Sequence, residues 1–194
     1  MFEHKLENFH SKDEILLETL ISFFSDKKYS DIMINILKKQ TNISLRILDW
    51  LVTNYSKKHN IITEQVKNGN IINFNLYVQY KNQLRAYSKN NFDPFCRKNR
   101  IILDITDPVN LKKATDETPE ENRLYTTVGQ LNFFRWFIKN DLVSYLLLNI
   151  EEIEMDMNTV LQKNKMNLKQ KRHCLSENNS NMMVIVNRPV KIIF

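Results

Sequence analysis

Residues 127–150, TVGQLNFFRWFIKNDLVSYLLLNI, constrain the fold of this chain more than any other stretch. Leu131, Phe134, Ile138, Leu142 and Tyr145 recur at helical spacing, and Phe133 and Phe137 lie beside that stripe. A helix that is apolar on every side belongs inside a core or an interface, so the remaining elements must be able to wrap it. The spacing predicts a break near Asn140 and Asp141, with Asp141 capping the second piece. At 194 residues, 42% of them apolar, the chain is long enough to bury such a helix within one domain.

Several segments qualify as wrapping. Residues 13–25, DEILLETLISFFS, place Ile15, Leu16, Leu20, Phe23 and Phe24 on one helical stripe, with Ser11 and Glu14 spaced as a capping box. A shorter helix is predicted from Tyr29 to Lys39. In ISLRILDWLVTNYSKK, Arg46, Asp49, Thr53 and Ser56 form a polar stripe opposite Leu45, Leu48, Val52 and Tyr55. The next segment, IITEQVKNGNIINFNLYVQY, reads as a hairpin turning at Asn68 and Gly69, and Ile72, Phe74, Leu76 and Val78 alternate with polar or aromatic neighbours. RIILDIT adds a strand, and TDPVNLKKATDETPEENR reads as an exposed, mobile acidic loop.

The expected architecture is therefore α+β, a small antiparallel sheet packed against several helices. Residues 1–157 form the domain, 158–181 a basic polar linker, and 182–194 a strand-like segment returning to the sheet edge, where Pro189 is tolerated. Three helices followed by a hairpin also allow a winged-helix-like N-terminal half. Against that alternative, the third helix offers a groove only Arg46 beside Asp49 before Lys57 and Lys58.

Many chemistries lack their residues. Gly69 and Gly129 are the only glycines, and two isolated glycines cannot build a phosphate-cradling loop. No G-x-S-x-G elbow is present. His4, His10, His59 and His173 are scattered, and Cys96 and Cys174 belong to no C-x-x-C pair, so no zinc site, disulfide framework or cofactor is expected. Asp104 and Asp107 are the one carboxylate arrangement that suits a metal-dependent nuclease, and as residues at a strand exit before Pro108 they suit a turn better. The thiol of Cys96 has Arg97, Lys98 and Arg100 nearby but no His to act as base, which favours an interior role. The N-terminus is polar and no run of about 18 apolar residues occurs, so a soluble, intracellular, non-enzymatic protein without a membrane partner or an evident small-molecule substrate is expected.

Charge points further. YKNQLRAYSKNNFDPFCRKNR, residues 80–100, sets Lys81, Arg85, Lys89, Arg97, Lys98 and Arg100 against Asp93 alone, in a chain whose net charge is +6. Lys81, Arg85 and Lys89 share a face whether the segment is helical or extended. In the extended case Tyr87 joins them as a stacking platform for an unpaired base. Phe92-Asp93-Pro94-Phe95 reads as a turn pinned by two rings, from which Arg97, Lys98 and Arg100 emerge at a fixed position. A second acid-free run contains Lys163, Lys165, Lys169, Lys171 and Arg172, and the acids gather elsewhere, at Asp116 to Glu121 and Glu151 to Asp156. Segregated cations of this kind suit the backbone of DNA or RNA, with Tyr87, Lys169, Lys171 and Arg172 completing the contact set. The alternative is a structural or assembly protein whose helix at Phe133 to Phe137 faces a partner subunit.

Three blocks, LRILDWLVTNYSKKHNI, YKNQLRAYSKNNFDPFCRKNRI and TTVGQLNFFRWFIKNDLVSYL, resemble in order and wording a family of small, functionally uncharacterised proteins of nucleocytoplasmic large DNA viruses, of the mimivirus and phycodnavirus type. The resemblance covers residues 44–157. It implies a setting, namely host cytoplasm, a viral factory or a virion. It carries no catalytic residues.

Overall fold

A computed structural model describes residues 12–67 and 69–178, with side chains placed at all of these except 66, 67 and 168–178. The chain divides into two compact units, one ending at Glu154 and one beginning at Met155. The first unit is α+β. It opens with α1 (Lys12–Phe24), α2 (Lys27–Leu37) and α3 (Leu45–Trp50), which continues through a π-helical turn, Leu51–Tyr55, into α4 (Ser56–His59). The hairpin β1 (Ile62–Lys67) and β2 (Asn70–Asn75) follows, then α5 (Leu76–Tyr87). Strands β3 (Arg100–Asp104), β4 (Lys112–Lys113) and β5 (Arg123–Thr127) make a second antiparallel sheet in the order β4-β3-β5. A single 3-10 turn, Glu120–Asn122, precedes β5. Helices α6 (Val128–Lys139), α7 (Leu142–Leu148) and α8 (Ile150–Asn178) complete the described chain.

Of the apolar segment 127–150, α6 lies in the core of the first unit, whereas α7 buries only Leu142 and Leu146 and leaves Leu147 and Leu148 51% and 85% exposed. Ten of the twelve residues of α6 are buried, and Phe133, Phe134 and Phe137 are each 0–1% exposed. Phe133 packs on Phe92, Phe137 and Trp136 at ring distances of 5.5, 5.7 and 6.1 Å, and Tyr80 and Phe74 extend the aromatic cluster around Trp136. These rings bury large areas and meet at tilted interplanar angles of 31–56°, away from the face-to-face sandwich that their quadrupoles disfavour. The break between α6 and α7 falls at Asn140 and Asp141 as expected. Asp141 stands at the start of α7, but its carboxylate accepts the Ser144 hydroxyl at 2.7 Å, and no backbone N–H is capped by it.

In α1 the buried residues are Leu17, Leu20 and Phe24, whereas Ile15 is 52% exposed, so the stripe sits farther round the helix than its spacing suggests. Ser11 and its capping box lie outside the described residues. The third helix departs more. Its π turn inserts one extra residue, worth about 100° of phase, and that rotation carries Ser56 from the polar side into the interior. The buried Ser56 hydroxyl is satisfied by the Val52 carbonyl at 2.9 Å, and Thr53 donates likewise to Asp49 O at 2.6 Å. Six residues of α-helix before a π turn also make a poor recognition helix, so the winged-helix alternative loses its reading element.

The hairpin closes as expected, Lys67 pairing with Asn70 and Gly69 taking φ +78°, where a side chain is disfavoured. Strand β2 stops earlier than the alternation implied. The Asn75 side chain accepts the Val78 N–H at 3.0 Å and starts α5, so Leu76 and Tyr80 turn inward one helical turn apart while Val78 is 49% exposed.

The acidic segment 106–123 is likewise more ordered than expected. Leu111 and Thr118 are buried, Lys38 donates to the Glu121 carbonyl at 2.8 Å, and Arg123 donates to the carbonyls of Thr115 and Asp116. Residues 158–178, expected as linker, continue α8, and the segment 182–194 lies outside the described residues.

Candidate nucleic-acid interface

The loop from Ser88 to Asn99 carries half of the central cations, and the N-terminus of α6 fixes its course. Phe92 is fully buried, wedged among Tyr80, Tyr87, Phe133 and Trp136. Phe95 is 49% exposed, so one ring pins the turn and not two. Asp93 Oδ1 accepts the Phe95 N–H at 2.7 Å, and the Asp93 N–H reaches the Gly129 carbonyl at 3.3 Å. Two buried amides of α6 complete the attachment, Gln130 donating to Pro94 O and Asn132 to Asn91 O, each at 2.8 Å.

Gly129 is required by proximity. A Cβ there would lie 2.8 Å from the Asn90 carbonyl oxygen and 3.1 Å from both Cβ and Sγ of Cys96. The Cys96 thiol donates to Asn90 O at 3.0 Å and closes the joint between loop and helix, but the residue is half-buried and lines an open concavity, not the interior that was expected.

Around this frame the expected contact residues separate. Lys81 and Arg85 share the outer face of α5, and the Lys81 ammonium sits 5.8 Å from the Tyr77 ring centre. Tyr87 does not join them. Two residues on from Arg85 in a helix, it points to the far side, half-buried, stacked on Phe92 at 6.3 Å and receiving Arg135 Nη2 at 3.4 Å. The ammonium of Lys89 lies 3.7 Å from the Asp93 carboxylate, which offsets its charge. Arg97, Lys98 and Arg100 are exposed, and among the described residues no carboxylate lies within ion-pair distance of them or of Lys81 and Arg85. Lys169, Lys171 and Arg172 belong to α8, and their side chains lie outside those described.

Arg97 and Arg100 line one shallow concavity of about 510 Å³ together with Ile102 and Tyr125. Ile102 pairs directly with Tyr125 across β3 and β5, and Tyr125 is 59% exposed, its hydroxyl donating to Glu120 at 2.7 Å. Thr126 and Gln130, joined at 2.9 Å, form the inner wall. Tyr125 escaped the sequence reading because β5 lay between an apparent loop and an apparent helix. Its signal is the alternation in RLYTT, with Leu124 and Thr126 inward and Tyr125 outward.

The nuclease arrangement is a pair of turns. Asp104 Oδ1 accepts the Thr106 hydroxyl at 2.6 Å and the Thr106 N–H at 2.9 Å, and Oδ2 accepts Thr118 at 3.4 Å. The Thr106 bonds hold the carboxyl below its ordinary pKa. Asp107 accepts the Val109 N–H at 3.1 Å. Among the described residues no three His, Cys, Asp or Glu side chains gather as metal ligands. The aromatic face proposed for a partner subunit is equally committed, since Phe133 to Phe137 fill the unit's own core.

A second concavity, about 570 Å³, opens between α1, α5 and α6. Arg135 stands in it, donating to Thr19 Oγ1, Tyr87 OH and Asn132 Oδ1 at 3.2, 3.4 and 2.7 Å. Sequence reasoning did not single out this cation, which lies within an apolar helical run.

The comparisons with known proteins agree with the family resemblance that the three sequence blocks carried. No solved structure matches the chain. It is similar to "Uncharacterized protein L507" of Acanthamoeba polyphaga mimivirus, 41% identical over 160 residues, which are 82% of this chain and 59% of that protein. The chain thus spans 59% of that relative's length. A model described as "Family of unknown function (DUF7197)" matches residues 2–193, and with nearly the whole chain covered, the protein belongs to that DUF7197 family.

Proposed function

We propose that this viral protein binds single-stranded nucleic acid without enzymatic action, through the concavity lined by Arg97, Arg100 and Tyr125, with Lys98, Lys81 and Arg85 adding phosphate contacts. The observation that carries the reading is the grouping of two exposed, carboxylate-free guanidiniums with an exposed tyrosine in one concave surface. Guanidiniums take phosphate oxygens in a planar fork, and a tyrosine face stacks any base, so affinity arises with little sequence preference. A viral factory or a virion, where nucleic acid is concentrated, is the setting this activity fits.

The test is a salt titration of the full chain against labelled single- and double-stranded oligonucleotides of DNA and RNA. Single-strand affinity should fall with salt at about −0.7 per phosphate neutralised, and the Arg97→Ala/Arg100→Ala double variant should flatten that log-log slope by about 1.4. Tyr125→Ala should weaken single-strand binding by about 1–3 kcal/mol and leave duplex binding nearly unchanged. A slope near zero in the wild type, or an unaltered slope in the double variant, sinks the reading.

A further inference from the structure

The concavity between α1, α5 and α6 combines features that packing alone does not require. Arg135 is half-buried, and its three partners, Thr19, Tyr87 and Asn132, are neutral acceptors. Among the described residues no carboxylate pairs with it. A partly desolvated cation without a counter-ion is unfavourable unless something anionic visits it. Lys139 lines the same space four residues on, and like charges at that spacing repel. Across the opening, α5 presents Gln79 and Gln83, also four apart and half-buried, whose amides have no hydrogen-bond partner among the described residues. Among the described residues neither an Asp nor a Glu lines the cavity, and Phe23 with the rims of Phe74 and Trp136 gives it an apolar floor.

From two converging cations, four free amide ends and an apolar floor, we infer that this cavity binds a small phosphomonoester. A phosphomonoester carries close to two negative charges at neutral pH, which matches Arg135 and Lys139 together, whereas a carboxylate or a phosphodiester brings one. Three neutral hydrogen bonds already orient the guanidinium, so little ordering remains for the ligand to impose. A volume of about 570 Å³ falls within the span of small-molecule sites and exceeds what a phosphate group fills. The organic body of the ligand lies along Gln79 and Gln83 and over Phe23. This site uses none of the residues assigned to oligonucleotide contact, so each proposal can fail without the other.

Phenyl phosphate, methyl phenyl phosphate and inorganic phosphate are suitable probes, titrated into the full chain while the side-chain amide signals of Gln79 and Gln83 are followed by NMR. Phenyl phosphate should shift both signals and bind about tenfold more tightly than the singly charged diester, the worth of one charge-assisted contact. Inorganic phosphate should bind more weakly than phenyl phosphate, since it lacks the body. Lys139→Gln, on an exposed position that does not threaten the fold, should remove most of the preference for the doubly charged probe and leave oligonucleotide affinity as it was. Arg135→Gln should abolish the shifts. Unmoved Gln79 and Gln83 signals, equal affinity for monoester and diester, equal affinity for phenyl and inorganic phosphate, or an unchanged preference in Lys139→Gln would each overturn the assignment.

Discussion

Gly129 shows how much one missing methyl group can matter. The atom nearest to a Cβ at this position is a backbone carbonyl, that of Asn90, which cannot swing aside as a flexible side chain would. Gly129→Ala should therefore force loop and helix apart and lower stability by about 1–3 kcal/mol, as overpacking does, measurable as a lower urea midpoint. Asp49 makes a different prediction. Burial, and then the charge of Asp93, raise its pKa, with Lys89 opposing them. The fold thus favours the protonated form, and as pH rises through the ordinary aspartate value the unfolded chain ionises first and native stability declines until the folded pKa is passed. Asp49→Asn should be more stable than wild type at about pH 7, and the gain should vanish at about pH 3, where both states are protonated in the wild type. A gain that persisted in acid would assign the effect to something other than charge. Neither environment was legible from residue identity, since Asp49 sits in a polar stripe and Gly129 in an ordinary helical run, and both depend on distant neighbours.

At the scale of elements, periodicity identified α1, α2, the third helix, the β1–β2 hairpin, β3 and the α6–α7 break. It failed where a local hydrogen bond overrode it. Asn75 reads equally well as the outward residue of a strand and as a helix cap, and only the bond to the Val78 N–H decides between them. Asn75→Ala should cost about 0.5–2 kcal/mol, a typical loss for an N-cap, seen as reduced thermal stability with the hairpin still paired. The π turn was invisible for a related reason. An extra residue in a helix leaves no mark on composition and only displaces the polar stripe, sending Ser56 inward. Strand β5 was hidden because a five-residue strand flanked by a 3-10 turn and a helix gives periodicity too little length to register.

At the scale of the molecule, the described cations of the first unit do not form one uniform face. Lys81 and Arg85 occupy the outer side of α5, Arg97 and Arg100 share the β3–β5 concavity, and Arg135 with Lys139 belongs to another opening. The basic character of residues 80–100 was legible from sequence, and so was its α+β scaffold. The partition was not, because helix α5 sends Tyr87 inward and Asp93 captures Lys89, both consequences of backbone path. Partition also separates the expected phenotypes. Changes at Arg97 and Arg100 should alter the salt dependence of oligonucleotide affinity, whereas Lys139→Gln should leave that curve in place. Gln130 adds a constraint of its own, because its buried amide grips Pro94 on one side and Thr126 on the other. The cationic rim consequently has no joint of its own: whatever loosens the aromatic interior loosens the outer charges with it, and a change hidden far beneath the surface can blur the spacing that a partner meets.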